Sequence, residues 1–235
     1  MLRAPRARPS AWSTTGTGPE AMARTIAKDH EAKREAILKT AAVFFAEQGF
    51  DRASMGKLAE ACGVSKALIY HYYPSKDALL FDILDTHLTA LVDVVETVAR
   101  QRGTASERLR ALIRAILIAY RDSDAEHKVQ LDALSSLPED NQVHLRALQR
   151  RLVACMSECV REIEPERFKA RPELLAPVTM SVFGMLNWFY LWYKPGGLVD
   201  RDAYADIVAD LVIGGLPAVC GGADGSELGQ GRLPV

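Results

Sequence analysis

The sequence predicts an all-α protein of about nine helices, a small N-terminal head joined to a larger helical body. Three observations lead there. Apolar residues recur three and four positions apart through most of the 235 residues, the spacing of one helix face. Ser, Thr or Asp stands where such runs begin, and Gly or Pro stands where they end, which is how helices are capped and stopped. No stretch shows the period-two alternation of a half-buried strand.

Residues 1–28 are rich in Arg, Pro, Ser, Thr and Gly and lack apolar periodicity, so they are expected to be disordered. The alternatives are a basic arm entering the minor groove and a natural start at Met22. Glu31–Gln48 places Ile37, Ala41, Phe44 and Phe45 on one helix face. Gly49 ends that helix, and Phe50 is placed to fold back on Phe45. Ser54 caps a short helix whose Leu58, Ala59 and Cys62 share a face; Gly63 stops it, with Val64 covering its end. Gly56 weakens this helix by about 1 kcal/mol relative to Ala. Ser65 caps a second short helix that Pro74 terminates. Ser75 caps a long one reaching about residue 101, with Leu80, Ile83, Leu84, His87, Leu88, Leu91, Val95 and Val98 on its buried side. Thr104 and Glu107 form a capping box that opens a helix to about Tyr120. Helices over 124–136 and 140–163 follow. Pro172 opens the next, and Pro177 marks either a kink or the true start. It runs through Phe183–Tyr193 until Pro195-Gly-Gly. Asp200 caps the last helix, with Val199 and Tyr204 as a hydrophobic staple, to about Ile213. The expected organisation is a disordered extension over 1–28, a head over 29–76 with its motif at 54–73, a helical body over 77–214, and a flexible tail over 215–235.

Composition narrows the class. Apolar residues are 49% and charged residues 25%, ordinary for a soluble globular chain. The net charge is −1, but it is unevenly spread. Met22–Leu80 carries nine Lys and Arg against seven acids, whereas residues from 81 onward carry 17 against 22. A mildly basic head can approach phosphate while an acidic body stays off it. Cys62, Cys155, Cys159 and Cys220 are too few for a disulfide framework in a chain this long; Cys155 and Cys159 share a helix face and read as small buried residues. No apolar run is expected to reach membrane-spanning length, and the N-terminus has no apolar signal region, so a cytoplasmic location is expected. There is no Gly-rich phosphate loop, paired-His metal motif or partnered nucleophile. An enzyme, a metal and a cofactor are therefore not expected.

The stretch SMGKLAEACGVSKALIYHYYPSK, residues 54–76, carries the most information. Two short helices joined by a tight glycine turn are the geometry that puts a helix end into the major groove. On the second helix Lys66, Ala67, Tyr70 and His71 form one outward stripe, while Ile69 and Tyr73 point inward. A lysine can read a guanine edge, and small or apolar side chains can touch a thymine methyl. Exposed Tyr-His-Tyr beside lysines is costly surface to leave without a partner.

This segment closely resembles the TetR family of one-component bacterial transcription regulators, over roughly Glu31 to Leu91 and most specifically in GVSKALIYHYYPSKDALL. The resemblance implies that Lys66, Ala67, Leu68, Tyr70 and His71 face base edges and that Ser54, Tyr72 and Lys76 hold phosphates. Ala67 stands where Gly is frequent in the family and Leu68 where a hydroxyl residue is frequent. Those departures bear on the operator sequence rather than on the fold.

The body suggests two further partners. Residues 183–193 are apolar all the way round, and a helix apolar on every side must be covered on every side. Ala203, Ile207, Asp210 and Leu211 make a matching stripe on the last helix. The expectation is a homodimer through a four-helix bundle, which would also set two reading helices about one DNA turn, roughly 34 Å, apart. A DNA head alone needs far less than this body, so a small-molecule pocket is expected between the long head-to-body helix and the aromatic segment, walled by Leu84, His87, Leu88, Leu91, Phe183, Met185, Trp188 and Phe189. HKVQLDALSSLP and FGMLNWFYLWYKPGG are similar to a TetR subgroup that senses acyl-CoA thioesters or related aromatic and fatty acids. Such a ligand would need cations, and Arg114, Arg121, Arg150 or Arg151 could supply them. The function expected is a ligand-responsive repressor on a palindromic operator. The alternative is a non-switching or architectural DNA-binding protein.

Overall fold

The computed structural model describes residues 19–194 and 196–221, and among these every regular element is helical. The head comprises α1 (Pro19–Gln48), α2 (Met55–Ala61) and α3 (Lys66–Tyr72). The long α4 (Lys76–Ala99) leads into a body of α5 (Ala105–Ala119), α6 (Asp124–Ala133) with a 3-10 turn at Leu134–Ser136, α7 (Glu139–Ile163), α8 (Pro165–Ala170), a second 3-10 turn at Pro172–Leu174, α9 (Leu175–Asn187), α10 (Phe189–Trp192) and α11 (Arg201–Gly221).

The helix starts form as their residues dictate. The hydroxyls of Ser54, Ser65 and Ser75 accept from the backbone N–H groups of Lys57, Leu68 and Ala78 at 3.3, 3.1 and 3.1 Å. Thr104 and Glu107 close their reciprocal capping box, and Asp200 accepts from the Ala203 N–H at 2.8 Å. At the end of α2, Gly63 takes φ +64. Its N–H reaches the Glu60 carbonyl and that of Val64 reaches the Ala59 carbonyl, both at 3.0 Å, the doubly bonded glycine stop. Gly49 at φ +79 ends α1 and lets Phe50 meet Phe45 edge-on at 5.2 Å between ring centres. Pro177 sits in the first turn of α9, where its missing N–H has no intrahelical partner to lose.

Several boundaries depart from expectation. Residues 19–28 are helical rather than disordered, because Glu, Ala, Met, Arg and Lys sustain a helix without an apolar face and Pro suits a first helical position. Residues 1–18 lie outside the described residues. The tail also begins later than expected, since α11 runs on to Gly221. Leu216, only 1% exposed, anchors that extension, and Arg167 donates to the Pro217 carbonyl. The last 14 positions, 222–235, are likewise outside the described residues. The short α8 had no counterpart in the sequence reading; Pro165 opens it and Phe168, 3% exposed, pins it to the core. Val199 remains 38% exposed, while Tyr204 stacks on Phe189 at 4.8 Å.

α1 packs on α2, α4 and α6, and α2 packs on α3. In the body α4 lies against α5 and α7, α9 lies against α7, and α11 lies along α5. Contrary to expectation, one helical run, Pro172–Trp192, is long and apolar enough by length and composition to cross a membrane. Dense apolar residues on either side of Pro177 account for it. Its Val182, Phe183, Leu186 and Phe189 are part of the same core as α5 and α7, which marks it as a body helix.

Candidate DNA-reading face and effector cavity

α3 presents Lys66, Ala67, Tyr70 and His71 to solvent, with Tyr70 47% exposed. The opposite side is fixed, for Ile69 is fully buried and Tyr73 only 5% exposed. Leu68 is half-buried on the flank. Tyr72 is also half-buried; His30 of α1 stacks on its ring at 4.6 Å and His71 meets it edge-on at 5.7 Å. Ser54 is exposed at the start of α2. Its oxygen is occupied as an acceptor, which leaves the hydroxyl hydrogen free to donate. The Lys76 ammonium donates to the Phe50 and Asp51 carbonyls at 3.1 and 3.4 Å and lies 4.4 Å above the Phe50 ring, contacts that hold it against the α1–α2 turn.

A network outside the sequence reading ties this head to the body. Arg34 of α1 donates from Nε and Nη2 to the Asp82 carboxylate of α4, the first at 3.0 Å. The Tyr73 hydroxyl, at the end of α3, donates to the same carboxylate at 2.6 Å. Burial and this carboxylate push the Tyr73 phenol well up, so it stays a donor. One carboxylate therefore gathers α1, the end of α3 and α4. Farther along α1, Lys39 donates to the Asp122 carbonyl at 3.2 Å and Lys128 of α6 to the Ala46 carbonyl at 2.6 Å.

Between these two sets of ties lies a cavity of about 430 Å³. α1 contributes Leu38, α4 contributes Ile83, His87, Ala90, Leu91 and Val94, and Ala119 closes the end. Glu35, Lys39 and Glu126 stand around it. Burial pushes the Glu126 carboxyl up. His87 belongs to a ring cluster: Tyr120 and His127 stack at 4.3 Å, His87 lies 6.2 Å from Tyr120, and Tyr190 meets His127 edge-on. The Tyr120 hydroxyl donates to Asn187 Oδ1 at 3.2 Å. Burial pushes both histidines down to about 4. His87 Nε2 and both His127 ring nitrogens make no hydrogen bond, although the Asn187 backbone lies close enough to His127 to favour a proton there.

This is not the expected pocket. Of the expected walls, His87 and Leu91 line it, whereas Leu84 and Leu88 are fully buried in the core and do not. Phe183 and Phe189 are core residues, Met185 is half-buried with its carbonyl accepting from the Tyr204 hydroxyl, and Trp188 is 63% exposed. The reason is layering: α9 packs on α7, and α7 packs on α4, so the aromatic segment and α4 do not share a wall. None of the four arginines lines the cavity. Arg114 pairs with Asp202 and Asp206, and Arg151 pairs with Glu96. Arg121 lies in a separate depression beside Asp124 and Asp200, and Arg150 is exposed on α7.

A second surface stands out. Met180 on α9, Trp188 between α9 and α10, Leu191 and Trp192 on α10, and Ile207 and Leu211 on α11 are 43–63% exposed. Ala203 and Asp210 share the α11 stripe and are exposed too. The all-round apolar helix is thus covered by its own core on one side only.

A reading helix exposed on one face and clamped on the other, behind a glycine turn, defines a helix-turn-helix DNA-binding protein. Two family models match in succession: bacterial regulatory proteins of the tetR family over residues 37–83, and the tetracyclin repressor-like C-terminal domain over 102–216. A TetR-family transcriptional regulator from Bordetella parapertussis 12822 is 37% identical, with 76% of this chain and 93% of that chain covered and a TM-score of 0.73. AibR, solved with isovaleryl coenzyme A and operator DNA, is 27% identical over 76% of this chain and 97% of its own, with a TM-score of 0.67. The HTH-type transcriptional repressor KstR2 of Mycolicibacterium smegmatis is 24% identical over 79% of this chain and 91% of its own length. The chain belongs to the TetR family of bacterial transcription regulators.

Proposed function

We propose that this protein is a homodimeric repressor that holds a palindromic operator in the bacterial cytoplasm and releases it when a small effector binds. The observation that carries the reading is the outward face of α3, where Lys66, Ala67, Tyr70 and His71 stand together above a fully buried Ile69. Lys66 and Tyr70 supply donors to base edges, Ala67 allows close approach, and His71 lies where it can meet a base or a phosphate. Ser54 and Tyr72 flank that face as phosphate contacts. The exposed stripes of α9–α10 and α11 supply the self-complementary surface of a two-fold dimer.

α4 links the two activities. Its first turns join the head through Asp82, and its middle walls the cavity through Ile83, His87 and Leu91. An occupant that fits one tilt of α4 better than another changes the spacing of the two reading helices, and operator affinity follows. This hinge cavity favours a switching regulator over a static architectural protein. The similarity to AibR, solved with an acyl-CoA, makes short acyl-CoA thioesters one effector class and small apolar molecules the other. Titration of a footprinted operator complex with members of both classes tests the switch. Release by at least one of them is expected; unchanged affinity in the presence of every ligand shown to bind would reject it.

A further inference from the structure

We propose that the exposed N-terminal part of α1 is a second DNA-contacting surface, on which Arg24 and Lys28 hold backbone phosphates flanking the half-site that α3 reads. The inference rests on the DNA-reading function proposed above and extends the contact beyond the helix-turn-helix.

Position comes first. α1 runs for 30 residues, yet among its described side chains the first buried one is Ile37; Arg24 and every residue from Ala27 to Lys33 are exposed. This stretch has no apolar face to bury against its own chain. Its root is fixed beside the reading helix. The His30 ring stacks on Tyr72 at 4.6 Å, with 28° between the planes, and Tyr72 is the last residue of α3. At 1.5 Å of rise per residue, Lys28 lies about 3 Å and Arg24 about 9 Å beyond His30 along the axis. Both cations therefore stand just past the edge of the face that meets DNA, where Tyr72 takes a phosphate in the proposed complex.

Charge names the partner. Arg24 and Lys28 are four positions apart and share one side of the helix. Neither makes an ion pair or a hydrogen bond among the described residues, whereas Glu31 is taken by Arg34 at 2.7 Å. Asp29 points about 100° away from Lys28. The sequence that leads into α1 adds Arg3, Arg6 and Arg8, with no acid before Glu20. Unpaired cations in a row, continuous with a DNA-reading face, match the repeating anions of a duplex strand.

The test uses the purified full chain and the palindromic duplex that it selects from random sequence, prepared once with flanking base pairs and once trimmed to the half-sites. Affinity is measured as a function of salt concentration. Each phosphate contact contributes about 0.9 to the slope of log affinity against log salt. Arg24→Ala with Lys28→Ala should therefore flatten the slope on the flanked duplex by about two per subunit. The selected palindrome should stay the same, because phosphate contacts carry no sequence information. On the trimmed duplex parent and variant should bind alike. Arg24→Lys with Lys28→Arg should keep the parent's slope, which separates charge from helix structure. A slope that the alanine variant leaves unchanged, or a loss equal on both duplexes, overturns the proposal. A parent chain that selects no palindrome sinks the α3 reading and this surface with it. A parent that selects one, with a slope indifferent to Arg24 and Lys28, sinks this surface alone.

Discussion

Asp82 holds the arrangement together at the scale of single residues. Its carboxylate accepts from Arg34 and from Tyr73, and the pair is only partly exposed, at 29% for Arg34 and 21% for Asp82. Asp82→Ala leaves the Tyr73 phenol without its acceptor and Arg34 with Glu31 alone. It should cost about 1.5–3 kcal/mol, read by urea unfolding, with Tyr73→Phe costing roughly 1 kcal/mol; an unchanged midpoint would show the network to be idle. The buried histidines make a second prediction. His87 and His127 titrate near 4 in the folded chain, against about 6.5 when unfolded. Between those values the unfolded chain takes up protons that the folded chain refuses. Stability is therefore full above pH 6.5 and falls as the pH drops toward 4, by on the order of 3 kcal/mol per histidine. His127→Phe should flatten the decline in melting temperature between pH 7 and 5; an identical slope would contradict it. The burial of His87 was legible from its place in the apolar stripe of α4, whereas the Asp82 network was not. A tyrosine, an arginine and an aspartate 9 to 48 positions apart carry no local pattern, and the Asp-Arg-Asp run at 200–202 hides Arg201, whose side chain is 6% exposed and paired with Asp124.

At the scale of elements, what could be read was what local chemistry decides. Ser54, Ser65, Ser75, Thr104 and Asp200 cap the helices they precede, because a cap needs only its own next three residues. The limits of α1 and α11 and the existence of α8 were missed, since helix propensity without an apolar face, and burial of a single Phe168, leave little periodicity to see. The expected pocket walls do not enclose one space for a related reason. α4 is apolar on two sides, and its sequence does not say which side meets close-fitting neighbours. The stripes of α9–α10 and α11 were visible because they are apolar where a monomer has nothing to bury them. Trp188→Glu with Leu211→Glu, at sites 63% and 62% exposed, should turn a dimer into a monomer in analytical ultracentrifugation. Operator affinity should drop by roughly 100-fold or more as the second half-site contact is lost. A double variant that still sediments as a dimer would place the interface elsewhere.

At the scale of the whole molecule, the helix-turn-helix of the head was legible and the body only in outline. The head must fit one external object, duplex DNA, and that requirement is written locally into residues 54–73. The body fits its own core and an effector, which many sequences satisfy. The head–body relation follows from ties the chain makes twice, through Asp82 and through Lys39 and Lys128, on either side of one cavity. The claim on which the rest depends is that two copies read duplex DNA through α3. Selection of the purified chain against random duplexes tests it most directly. The selected duplexes should share a palindrome with half-sites about 34 Å, one helical turn, or a multiple of it apart. Tyr70→Ala with His71→Ala should lose about 1–3 kcal/mol of discrimination for each base contact removed. Enrichment of the same palindrome to the same degree by that double variant would contradict it.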